Sequence, residues 1–91
     1  MYSIAIHQIS DPATFWGAAA DMQLPEGMTL HTVAPNSDGT RAVCIWESGS
    51  IDDVRDFVES SAGEISTNEY FEVNAENAMG LPTGATVGAG Q

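Results

Sequence analysis

Alternating apolar and polar positions predict four β-strands along the chain. The first run is rich in β-branched residues, and the last carries two aromatic side chains. Between the second and third runs lies Asp38-Gly39, a pair typical of tight hairpin turns because glycine tolerates the positive φ that such turns need. The predicted strands are residues 2–9, 28–34, 40–47 and 69–74.

Apolar residues at helical spacing predict one helix after the first strand and another after the third. The first helix begins at Ser10-Asp11-Pro12, where a capping side chain precedes a proline whose missing N–H costs nothing at the first helical position. Ser50 is placed to cap the second helix, and Gly63 is suited to end it. The predicted core-facing residues are Phe15, Ala18, Ala19 and Met22 on the first helix and Ile51, Val54, Phe57 and Val58 on the second.

The order of these elements is βαββαβ, which is typical of the ferredoxin-like α+β fold. In this fold a four-stranded antiparallel sheet carries both helices on one face. The other face stays open, and an exposed apolar sheet face on a small domain usually binds a partner. We therefore expect a homodimer that packs sheet on sheet, built from one domain over residues 1–82, with a flexible C-terminal tail over residues 83–91.

The chain of 91 residues has 13 Asp and Glu but only 2 basic residues, Arg41 and Arg55, and its formal net charge is −11. The acidic share is ordinary for a globular domain, so the unusual feature is the near absence of basic residues. No basic surface can neutralise phosphates, which argues against nucleic acid and anionic membranes as partners. Anionic substrates are disfavoured for the same reason, so a small-molecule ligand, if the protein has one, is expected to be neutral or hydrophobic.

The sequence contains no apparent segment that would place the chain in a membrane or direct it out of the cell. Its apolar stretches fall far short of the ~20 residues that a membrane-spanning helix needs. No basic segment followed by an apolar one opens the chain. The single Cys44 cannot form an internal disulfide bond, which agrees with a reducing compartment. We expect a cytoplasmic protein.

Alternation assigns side chains to the two faces of the sheet, if the bulkiest aliphatic residues are taken to face the helices. The residues then expected on the open face are His7, His31, Cys44, Trp46, Tyr70 and Glu72. Imidazole, thiolate and carboxylate groups are ligands that nickel, copper, zinc and cobalt prefer. The candidate ligands of such a divalent metal are therefore His7, His31, Cys44 and Glu72.

Short motifs in the predicted strands resemble a known family. They are Ile6-His7 in the first strand, Leu30-His31-Thr32 in the second, Val43–Glu47 with Cys44 near its start in the third, and an acidic last strand. With the order of elements, these motifs resemble the small nickel-binding proteins of actinobacteria and, more broadly, the dimeric α+β barrel superfamily. That superfamily includes cofactor-independent antibiotic-biosynthesis monooxygenases and haem-degrading enzymes. The resemblance covers residues 2–74 and implies a dimeric barrel with His7, His31 and Cys44 at ligand positions.

Three functions of different classes remain open. The first is a small homodimeric protein that binds nickel, zinc or copper. The second is an enzyme, monooxygenase-like or otherwise, that acts on a small neutral or hydrophobic molecule in the barrel cavity. In that case His7 would be the general base, with Tyr70 or Glu72 as its partner, and Trp46 would pack against the substrate. The third is a non-catalytic dimeric module, in which Cys44 is a small buried apolar residue and the aromatic residues anchor the interface.

Overall fold

A computed structural model of the protein describes residues 1–82, and the tail predicted over residues 83–91 lies outside the described part. Six elements follow one another in the order β1-α1-β2-β3-α2-β4. Their bounds are Tyr2–Ile9 for β1, Pro12–Asp21 for α1, Thr29–Pro35 for β2, Arg41–Glu47 for β3, Ile51–Ala62 for α2 and Ser66–Glu72 for β4. The predicted order is confirmed, and the largest shift is that β4 begins at Ser66 rather than at Glu69.

Both helices begin where their capping signals predict. The Asp11 carboxylate accepts a hydrogen bond of 3.2 Å from the Thr14 backbone N–H at the start of α1. Ser50 Oγ accepts one of 3.3 Å from the Asp53 N–H at the start of α2, and Gly63 is the C-cap of that helix. These caps satisfy backbone donors that a helix N-terminus otherwise leaves unpaired. Within residues 1–82, no helix has the length and apolar character needed to cross a bilayer.

The four strands form one antiparallel sheet in the order β2-β3-β1-β4. Strand β1 is central, and its register places Ala5 opposite Cys44 of β3 and His7 opposite Asn68 of β4. Directly opposed residues of an antiparallel pair point to the same face, so these four side chains share one face. Both helices pack on that face, and the ferredoxin-like α+β architecture is confirmed.

The core between the sheet and the helices consists of two clusters. One cluster contains Ala5, Cys44, Trp46, Val54 and Val58, and the other contains Ile9, Phe15 and Ala42. Five of the eight buried strand residues are small, namely Ser3, Ala5, Ala42, Cys44 and Ser66. Large rings from the helices, such as Phe15 and Phe57, fill the space above them.

The predicted assignment of side chains to the two faces is wrong for β1, β3 and β4. His7, Cys44 and Trp46 lie under the helices and are only 2%, 5% and 3% exposed. Tyr70 packs against the same core. Among the bulky aliphatic residues of β1 and β3, Ile9 lies under the helices, whereas Ile4, Ile6, Val43 and Ile45 occupy the opposite face. The assumption failed because the helices supply the large side chains of this core, which leaves little room for isoleucine or valine on the strands beneath.

The uncovered side of the sheet, named the open face below, carries five bulky apolar residues. They are Ile4, Ile6, Val43, Ile45 and Phe71. Val43 is 40% exposed and Phe71 is 45% exposed. At one edge of this face, β2 has a bulge between Leu30 and Thr32. Leu30 packs into the core, whereas His31 lies on the open side, as predicted for His31.

Candidate functional site

A cavity of about 180 Å³ lies between the helices and the sheet. Its wall is formed mainly by the rings of Phe15, Trp16, Trp46 and Phe57 and by small or aliphatic residues of both helices. Among the described residues that line it, only His7 and Cys44 carry titratable groups. A cavity with this lining suits an apolar molecule better than an ion.

His7 is held in the wall of this cavity by β1 and is 2% exposed. Its ring centroid lies 5.4 Å from that of Phe15, with the two planes tilted by 56°. The Nδ1 atom is 2.6 Å from Oδ1 of Asn68. Burial lowers the pKa of His7 below its ordinary value of 6.5, against smaller raising effects of the Asn68 hydrogen bond and the Glu59 charge. The imidazole is therefore neutral at pH 7.

A line of hydrogen bonds leads from His7 to the protein surface. The Asn68 side-chain nitrogen donates to Oε2 of Glu59 at 2.9 Å, and the Tyr70 hydroxyl donates to the same oxygen at 2.7 Å. These two bonds hold the pKa of Glu59 below its ordinary value. Burial, followed by the bond to Glu59, raises the pKa of Tyr70. At neutral pH Glu59 is thus an ionised acceptor and Tyr70 a protonated donor.

Tyr70 was one of two predicted partners of His7 in the enzyme alternative, with Glu72 as the other, and the structure connects Tyr70 to His7 only through Glu59 and Asn68. Its ring lies 5.5 Å from the guanidinium carbon of Arg55, and it is not among the described residues that line the cavity. The Tyr70 hydroxyl contacts this hydrogen-bond network at its outer end. It can hold the Glu59 carboxylate in place, but it does not reach the space where a ligand would lie.

Cys44 lies in the cavity wall but is not an activated thiol. Burial raises its pKa to about 11, so the side chain stays protonated at neutral pH and serves as a small apolar residue. This matches the packing role that the third alternative gives to Cys44.

Two buried polar atoms near the cavity have no hydrogen-bond partner within residues 1–82, namely Ser3 Oγ and Trp46 Nε1. The two residues are directly opposed on β1 and β3 and are 0% and 3% exposed. Burying such a group without a partner opposes folding by about 1–3 kcal/mol. The ring of Trp46 lines the cavity, as its predicted contact with a substrate requires.

His31 lies on the other side of the sheet from His7. Its Nε2 atom is 2.8 Å from Oε1 of Glu47, and its ring centroid is 5.7 Å from that of Tyr2. These contacts place His31 at the edge of the open face. The two histidines, predicted to share one face, are thus separated by the sheet itself.

Glu72, the fourth predicted metal ligand, is exposed at the end of β4, opposite Ser3. Within residues 1–82, no group of three or more His, Cys, Asp or Glu side chains is placed to hold a metal ion. The candidate ligands from one chain therefore do not fit a shared metal, since His7 and His31 lie on opposite faces. Metal binding stays a prediction.

A larger, open groove of about 440 Å³ lies beside α2, next to the turn before β2. Its polar lining includes the carboxylates of Glu26, Asp53 and Asp56. Its described lining contains no imidazole, thiol or basic group. Three of the residues that the sequence singled out, His7, Cys44 and Trp46, line the smaller cavity instead.

Asn68 and Glu59 are site residues that the sequence did not single out. The predicted β4 began at Glu69, so Asn68 fell just outside it, whereas pairing from Ser66 onward sets Asn68 opposite His7. A prediction that began the fourth strand two residues earlier would have included Asn68. No pattern marks Glu59, because its role depends on the packing of α2 against β4.

Comparison of the chain with protein-family models, with curated proteins and with solved structures found no match. The fold and the cavity therefore carry the functional argument without support from a relative.

Proposed function

We propose that the protein binds a small, neutral, largely apolar molecule in the cavity between the helices and the sheet, and that His7 acts on this molecule as a general base. The observation that carries the proposal is the position of the His7 imidazole, which is buried in an apolar wall and hydrogen-bonded to Asn68 on one side. A buried polar group is costly unless it is hydrogen-bonded, and the hydrogen bond to Asn68 engages only Nδ1 of His7.

The cavity volume limits the size of the ligand. An apolar cavity of about 150 Å³ is known to admit benzene, whereas sites for drug-sized molecules measure about 300–1,000 Å³. The cavity of about 180 Å³ therefore suits a single ring or a short branched chain.

His7 supplies the chemistry of the proposed site. Its Nδ1 atom is engaged by Asn68, and Nε2 has no hydrogen-bond partner among residues 1–82. Because burial keeps the ring neutral at pH 7, Nε2 can accept a proton from a hydroxyl, an N–H or an acidified C–H of a bound molecule. The lining of the cavity is mostly apolar, and a hydrogen bond in such surroundings is stronger than one in bulk water.

Two alanines on α1 provide a test with a matched control. Ala19 lines the cavity, whereas the neighbouring Ala20 is exposed and is not among the lining residues. Phenol is the probe, and its binding is followed by ¹H–¹⁵N NMR titration. Saturable shifts are expected for cavity residues in the wild type and in Ala20→Leu, and they should disappear in Ala19→Leu, where the added carbons occupy the cavity. Equal binding by the two variants, or no binding by the wild type, contradicts the proposal.

We also propose that the open face binds a second copy of the chain. Its five apolar residues are continuous across three strands, and a surface of this kind on a small domain marks an interface. Along β3 the open face carries Arg41 at one end and Glu47 at the other, with Val43 and Ile45 between them. A two-fold axis near the middle of β3 would bring the arginine of one copy to the glutamate of the other.

Two valines of similar exposure test the dimer. Val43 is 40% exposed on the open face, and Val33 is 44% exposed on β2, where it lines the cavity on the helix side. Light scattering at micromolar concentration is expected to report a dimer for the wild type and for Val33→Asp, and a monomer for Val43→Asp. A monomeric wild type, or a dimer that survives Val43→Asp, contradicts the proposal.

A further inference from the structure

The orientation of the Asn68 side-chain amide is decided by the residue on its outer side. A carboxylate at neutral pH has no proton and can only accept hydrogen bonds. The Asn68 amide nitrogen lies 2.9 Å from Oε2 of Glu59, so this nitrogen faces Glu59 and the amide oxygen faces His7. The flipped amide would set two acceptors against each other, which is the argument by which such orientations are assigned.

The Asn68 amide oxygen in turn determines which nitrogen of the His7 ring carries the proton. Asn68 Oδ1 can only accept, and it lies 2.6 Å from Nδ1 of His7. A neutral His7 must then carry its proton on Nδ1, which leaves the lone pair on Nε2.

From this arrangement we infer that Glu59 and Asn68 are positioning residues that hold His7 in its Nδ1–H form, so that the cavity selects ligands presenting a hydrogen-bond donor. The assignment of the proton stands on the hydrogen bonds of the free protein. The selection of donors rests on the proposed function, because it requires that a ligand enter the cavity beside Nε2.

Glu59 is suited to a test because it is exposed on α2 and contributes nothing to the buried core. Glu59→Lys replaces an obligate acceptor with an obligate donor. Asn68 should then turn its oxygen outward and its nitrogen towards His7, which moves the ring proton to Nε2. Asp56→Lys is the matched control, since Asp56 is an exposed carboxylate on the same helix that makes no hydrogen bond to Asn68.

The ring proton is located by long-range ¹H–¹⁵N NMR spectra of the free protein, with a His31→Gln variant to assign the two histidines. The wild type and Asp56→Lys are expected to carry the His7 proton on Nδ1, and Glu59→Lys on Nε2. Glu59→Gln can donate or accept, so it should give a mixture of the two forms. A wild-type proton on Nε2, or a Glu59→Lys spectrum identical to that of the wild type, overturns the inference.

Ligand selection is tested with phenol and anisole, which share a ring but differ in that only phenol can donate. The wild type and Asp56→Lys should bind phenol about tenfold more tightly, the value of one buried hydrogen bond, and Glu59→Lys should lose this preference. Equal affinities in the wild type overturn the donor selection. If neither probe binds, the proposed function fails, while the ring spectra still decide the assignment of the proton.

Discussion

Replacing Ser3 with alanine is expected to make the protein more stable, although Ser3 is 0% exposed. Its hydroxyl has no hydrogen-bond partner within residues 1–82. A hydroxyl buried in this way costs about 1–3 kcal/mol relative to its hydrated state. Alanine keeps the Cβ and leaves a void smaller than a methyl group. A void of methyl size would lower the free energy of unfolding by about 1 kcal/mol, so this smaller void costs less. The free energy of unfolding should therefore rise by about 1–2 kcal/mol.

Urea and thermal denaturation measure this change. Because 1 kcal/mol shifts the Tm of a domain of this size by about 4–8 °C, Ser3→Ala should melt roughly 5–15 °C above the wild type. Ser66→Ala is the matched control: Ser66 is 9% exposed, and its hydroxyl donates to the Ala62 carbonyl at 2.8 Å. That variant should lose about 1 kcal/mol. A Ser3→Ala protein less stable than the wild type refutes the reasoning, since the hydroxyl would then have a partner.

Three further outcomes are expected. Below pH 6.5 the unfolded chain takes up a proton on His7 before the folded chain does, so acidification lowers the free energy of unfolding in this window. The urea midpoint of His7→Gln should therefore decline less than that of the wild type between pH 6.5 and 5. An equal decline in the two proteins would contradict this. Asn68→Asp sets a carboxylate against Nδ1 of His7 and should raise the His7 pKa in an NMR titration, which an unchanged or lower value would refute. Gly39 and Gly27 both have a positive φ, of +76° and +86°. A Cβ at Gly39 would lie 2.9 Å from Nε1 of Trp16, whereas a Cβ at Gly27 would meet nothing within 4 Å. Both alanine variants should lose about 1–2 kcal/mol to backbone strain, and Gly39→Ala should lose more, so equal denaturation midpoints would argue against the contact.

The order of elements could be predicted from sequence because each element is specified by nearby residues. Asp11 and Ser50 cap the helices that follow them. The hairpin turn uses Gly39 in a left-handed conformation, as the Asp-Gly pair predicts. These signals act within a few residues and do not depend on how the elements pack together.

The candidate site could be predicted only in part, because it depends on contacts between distant segments. The sequence singles out His7 as a candidate site residue, but the face on which it lies depends on whether strand or helix side chains fill the core. Phe15 and Phe57 fill it from the helices, which alternation along a strand cannot reveal. The hydrogen bond to Asn68 joins residues 61 positions apart, so only the strand register shows it.

The central claim is that the cavity bearing His7 is a ligand site, and intermolecular NOEs to bound phenol test it most directly. The ring protons of phenol are expected to show NOEs to the rings of His7, Phe15 and Trp46, which together line the cavity. NOEs confined to the acidic groove beside α2 or to the open face, or none at saturating phenol, would contradict the account.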